Sequence, residues 1–162
     1  MARMFAEDTK VPVSKTRAEI EDLLRKHGVE STGTLWLKDK GIVAFQHERR
    51  VFRFQVELPK LEEFAFHPKR REYDEPKARN PEQQRDAWEQ ACRSKWRSIL
   101  LIIKARLVAI EAGAETWESA FLFHVVTPNG EQLGPSIVEK LERAYREGGA
   151  TLPPLLPAGP AQ

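Results

Sequence analysis

From Pro81 to Gly113 the chain carries one unbroken helical pattern, and its centre reads CRSKWRSILLIIKARLVAIEAG. Asn80 is a natural N-cap, because its side-chain oxygen can accept a free backbone N–H. Pro81 suits the first helical position, where no donor is needed, and Glu82 suits the positive end of the helix dipole. Trp88, Cys92, Trp96, Ile99, Ile103, Leu107 and Ile110 follow at steps of four and three, the spacing of a single helix face. A helix this long and this apolar leaves the rest of the chain to pack onto it. Leu101, Ile102 and Val108 lie elsewhere on its circumference. Further sides are therefore expected to be covered, by C-terminal helices or by another subunit, which makes a homo-oligomer an expectation.

The covering layer is legible upstream. Three strand-like runs are separated by polar turns at Asp39–Gly41 and Glu48–Arg50, and in the third run Phe52, Phe54, Val56 and Leu58 share one face before Pro59 ends it. Connections this short force antiparallel pairing. The fold class expected is α+β, a three-stranded antiparallel meander covered by one long central helix, with short N- and C-terminal helices. In the N-terminal helix Thr16 and Glu19 have capping-box spacing, Ile20, Leu23 and Leu24 form the apolar stripe, and Gly28 ends it. At the C-terminal end Thr116 caps a turn carrying Trp117, Phe121 and Leu122. Pro135 opens a helix with Ile137, Val138, Leu141, Ala144 and Tyr145 on its apolar side.

A length of 162 residues suits one domain spanning 1–162 with its own core. Residues 67–80, with two prolines and both charges, read as a mobile charged loop, and 150–162 as an extended Pro-rich tail with PxxP spacing. With 26 basic against 24 acidic residues, the net charge of +2 calls for no polyanion partner by itself, so any such case rests on where the cations sit. The lone Cys92 fits a reducing cytoplasm and no internal disulfide. The stretch MARMFAEDTK lacks the apolar centre of a secretion signal, and the longest apolar run, Ile99 to Ile103, is far short of a membrane span.

Catalytic patterns are missing. His27, His47, His67 and His124 have no ligand-like spacing, and there is no Gly-rich phosphate loop, GxSxG or HExxH. Neither metal, cofactor nor enzymatic activity is expected. What remains is a surface. If Leu35 and Leu37 face the core, then Trp36, Lys38, Gln46, Arg53 and Gln55 face away from it, the composition of a sheet on which bases stack while cations hold phosphates. A Trp36 packed against its cross-strand neighbours is the competing reading. Lys69, Arg70 and Arg71 in the charged loop, and Arg93, Arg97 and Lys104 within about 40° of one another on the long helix, would add phosphate contacts.

The segments VPVSKTRAEIEDLL, WEQACRSKWRSILLIIKARLVAIEAG, PNGEQLG and PPLLP resemble those of a group of small bacteriophage and prophage proteins, a resemblance that covers most of the chain and brings no activity with it. The order of helix, three-strand meander and long helix is similar to the core of the Rad52-like single-strand annealing proteins of phages. This second resemblance implies a non-enzymatic single-stranded nucleic-acid-binding or annealing protein of phage DNA metabolism and recombination. The alternative is a protein-interaction module that binds a host or phage protein through exposed apolar helix faces.

Overall fold

In the computed structural model, residues 9–69, 73 and 75–148 are described. Helix α2 spans Pro81–Glu111, 31 residues and about 46 Å long. Its start follows the sequence signals: the Asn80 side chain accepts from the Gln83 N–H at 2.8 Å, and the Gln83 side chain accepts from the Asn80 N–H at 3.2 Å. Its end is set by Gly113, whose φ of +70° is accessible to glycine at little cost. Cys92, Trp96, Ile99, Leu100, Ile103 and Leu107 are buried, while Trp88 and Ile110 close the stripe as half-buried residues.

The sheet under α2 is antiparallel and runs β1 (Ser31–Trp36), β2 (Lys40–His47), β3 (Arg50–Glu57) and β4 (Val125–Val126). Register pairs Phe45 with Phe52 and Val43 with Phe54, so the four apolar side chains stand on one face, all buried against the helix. The turn from β2 to β3 has two central residues, Glu48 and Arg49, both at positive φ, which matches the right-handed twist of the strands. Glu30 holds it, accepting from the Glu48 N–H and from Gln46 Nε2, each at 3.1 Å.

Three expectations are corrected. The meander gains a fourth strand: Val51 pairs with Val126 and Phe52 with Val125, a two-residue ladder too short to leave a periodic signal. The N-terminal helix α1 covers Val13–Lys26, starting before Thr16. Thr16 is therefore buried inside it, and Glu19 is free to pair elsewhere. Pro135 is the third residue of α4 (Leu133–Glu147), since the turn at Gln132 starts the helix earlier.

The parity of β1 is also inverted. Trp36 sits opposite Gly41 on the helix-facing side, packed against Trp88 and Trp96 with ring centroids 6.3 and 6.4 Å away, while Leu35 and Leu37 are 51% and 43% exposed. An indole has far more apolar surface to hide than a leucine, so the strand turns to bury the larger group.

Helix α1 runs parallel to α2, tied at one end by Gln90 Nε2 donating to the Thr9 carbonyl and at the other by His27 Nε2 at 2.9 Å from Glu111. Helix α3 (Trp117–Phe121), capped by Thr116 as expected, inserts Phe121 edge-on between Phe45 and Phe54. The charged loop is pinned where it leaves and rejoins the fold: Phe66 bridges Ala78, and Arg79 donates to the carbonyls of Phe64 and Phe66. Arg70 and Arg71 lie outside the described residues, as does the Pro-rich tail.

Candidate interaction surfaces

Among the described residues, the cations proposed for phosphate contact do not form one groove. Arg53 stands on the outer sheet face, where Nη2 reaches the Gly130 carbonyl at 3.5 Å. Arg97 belongs to the other side of the sheet, where it forms an ion pair with Glu19 of α1. Arg93 is held by Glu89 and by Gln90 on its own helix. Lys38 is exposed in the β1–β2 turn, Lys69 in the loop, and Lys104 on α2. Lys104 and Arg97 line a groove of about 280 Å³ between α1 and α2, but Glu19 and Asp22 line it too. A second pair of predicted residues, Trp36 and Arg93, meets with Trp88 at an open pocket of about 250 Å³.

With Trp36 turned inward, the outer sheet face has lost its only aromatic ring. It presents Leu35, Ile42, Ala44 and Val51 beside Arg53 and Gln55, and its shallow centre is floored by Gly33 and Ala44. Such a face offers apolar contact and few places for a base to stack.

Two helix surfaces are more distinctive. On α2, opposite the sheet, Ser98, Leu101, Ile102, Ala105, Val108 and Ala109 fall within about 120° of one another without a charge among them. Ile102 is 46% and Val108 54% exposed, in the C-terminal half of the longest helix. Lys95 borders this strip on one side and Lys104 on the other, and neither has an ion-pair partner among the described residues. On α4, Val138, Leu141 and Tyr145 recur at steps of three and four and are 43%, 52% and 54% exposed. The sequence marks both stripes as apolar. That they stay uncovered is decided by where the helices dock, for which no local residue pattern exists.

Between α2 and the segment Leu122–His124, the core contains polar groups. Arg106 lies over the rings of Phe54 and Phe121, 5.6 Å from each centroid, and His124 stacks on Phe54 at 3.7 Å. Arg106 Nη1 and His124 Nδ1 are buried without a hydrogen-bond partner. Burial, and then the Arg106 charge, push the His124 imidazole down to about 4, against a hydrogen bond to the Arg53 backbone that acts in the other direction. Burial also lowers the Arg106 guanidinium. The pair is neutral imidazole beside cation, with the Glu115 carboxylate acting on Arg106 against the effect of burial. Among the described residues no three His, Cys, Asp or Glu side chains come together as a metal site would need, and no helix is long and apolar enough to cross a membrane.

Comparison with family models, with curated proteins and with solved structures returned no match.

Proposed function

We propose that this chain is a non-enzymatic protein-interaction module whose outer α2 face receives an amphipathic helix of a partner protein with acidic flanks. The observation that carries this reading is the exposure of Ile102 and Val108, with half-buried Leu101 beside them, along the C-terminal half of the longest helix. Large apolar groups on a regular, rigid helix lose surface to water at little entropic cost when a second helix lies along them. The unpaired Lys95 and Lys104 on the two borders select acidic neighbours and would make association faster at low salt.

A second reading rests on the pocket where Trp36, Trp88 and Arg93 meet, which has the chemistry to take a base of single-stranded nucleic acid. Against it, Glu89 lines the same pocket and binds Arg93, and the other predicted cations among the described residues are dispersed.

Affinity capture from a bacterial lysate with wild-type protein and with Ile102→Glu/Val108→Glu tests the first reading. One stoichiometric protein retained by the wild type and lost by the double variant, with unchanged far-UV circular dichroism, is the expected result. Fluorescence anisotropy with a labelled single-stranded oligonucleotide tests the second. Salt-sensitive binding at micromolar protein, combined with no partner in the lysate, would overturn the first reading in favour of the second.

A further inference from the structure

We propose that residues 1–8 act as a strap across the fold, with the side chains of Met4 and Phe5 seated in the pocket where Trp36 of β1 and Trp88 of α2 meet the start of α1. This site is separate from the outer α2 face, so it stands or falls independently of the partner-helix reading.

The walls of the pocket define what it takes. Pro12, Val13, Trp36 and Trp88 line it together with Glu89 and Arg93, around a volume of about 250 Å³. Val13 and Trp36 pack against the core and are still only half-buried, and Pro12 is exposed. Two indoles, a valine and a proline form a wall on which an aromatic ring or a thioether gains contact. Arg93 and Glu89 stand 3.5 Å apart and balance one another, so the rim has no net charge with which to hold an anion or a cation. The site therefore suits a neutral, apolar occupant.

The chain carries such a group at the edge of the pocket. Residues 1–8 lie outside the described residues, and the described chain starts at Thr9. There Gln90 Nε2 donates to the Thr9 carbonyl at 2.9 Å, while Gln90 Oε1 accepts from Arg93 Nε and Nη2 at 3.2 and 2.9 Å. One side-chain amide thus joins Thr9 to the rim residue Arg93. Phe5 and Met4 precede Thr9 by four and five residues, so an extended chain carries them about 13 and 17 Å from it. Attachment this close sets an effective concentration on the order of millimolar, at which a weak apolar contact is populated. The Pro-rich tail, with Leu152, Leu155 and Leu156, is the other apolar candidate. It follows α4, which packs on β4 and on Leu122–His124 at one edge of the sheet, whereas Trp36 belongs to β1 at the opposite edge. With the strap seated, a flat ligand from outside, a nucleic-acid base included, reaches Trp36 and Trp88 only by displacing Phe5.

Nuclear magnetic resonance of the full chain tests this. Nuclear Overhauser contacts from the Phe5 ring and the Met4 methyl to the indoles of Trp36 and Trp88 are expected in the wild type. An equimolar mixture of labelled and unlabelled chain should show none of them between copies. Met4→Ser/Phe5→Ser should abolish the contacts and shift the Trp36 and Trp88 indole N–H signals. The signal of Trp117, which packs with His47 and Phe121 away from the pocket, should stay in place. Absence of the contacts in the wild type would overturn the proposal. So would contacts from Leu152, Leu155 or Leu156 in their place, contacts found between copies, or Trp36 and Trp88 signals indifferent to the double variant.

Discussion

Gly41 is small because Trp96 occupies the space its side chain would take. A Cβ at Gly41 would stand 2.9 Å from Cζ2 of Trp96, the fully buried indole at the centre of α2. Trp36, the cross-strand partner of Gly41, then leans on the same ring, so a sheet glycine, a strand tryptophan and a helix tryptophan define one contact between the layers. Gly41→Ala should therefore destabilise the fold by about 1–3 kcal/mol, the usual cost of overpacking. Gly33→Ala, two residues along from Leu35 with nothing within 4 Å of the added Cβ, is the matched control and should be close to neutral. Urea denaturation followed by tryptophan fluorescence distinguishes the two; equal effects would show that Trp96 yields without cost.

The ion pair of Glu19 and Arg97 joins α1 to α2 with side chains 35% and 28% exposed. Glu19→Gln should cost about 1 kcal/mol at low salt, and less as salt screens the pair. A double-mutant cycle with Arg97→Gln at low and high salt isolates the coupling. A coupling energy that does not fall with salt would mean the geometry, and not the charge, holds the helices together.

His124 makes stability pH-dependent in the acid range. Its folded-state value of about 4 lies below the ordinary 6.5, because burial and Arg106 oppose the charged ring. The neutral ring thus contributes stability that is fully present above pH 6.5 and is lost as pH falls towards 4. Since the ring is only partly buried, solvent screening reduces the effect to roughly 1–2 kcal/mol. Thermal melts across this window for wild type and His124→Phe should show a smaller acid loss in the variant. Parallel curves would assign the acid sensitivity to the carboxylates instead.

Cys92 is fully buried, and its thiol is pushed up to about 11 by burial and by Glu89, with Arg93 acting against them. The thiolate is the reactive form, so the native protein should react with an aromatic disulfide reagent at neutral pH far more slowly than the unfolded chain. Rate measurements with and without denaturant check this. Fast native-state reaction would mean that α2 opens locally around Cys92.

The limits of α2, the start of α3 and the covered face of β3 were written in local residues, whereas the starts of α1 and α4 and the presence of β4 were not. Asn80 and Pro81 start α2, Gly113 stops it, Thr116 starts α3, and the alternation of Phe52, Phe54 and Leu58 marks the covered face of β3. Steps of three and four equally announce the stripes on α2 and α4, since periodicity depends only on the chain's own geometry. What the tertiary structure alone decided was the orientation of β1 and the occupancy of surfaces. Leu35, Trp36 and Leu37 put apolar groups on both faces of the strand, and only the presence of Trp88 and of Trp96, seated over Gly41, turns Trp36 inward. That turn removes the ring from the sheet face on which nucleic acid would have stacked. In the same way, Ile102, Val108, Leu141 and Tyr145 are apolar by sequence but exposed by docking, because burial depends on which neighbours reach a residue, and that is settled by the packing of the whole chain.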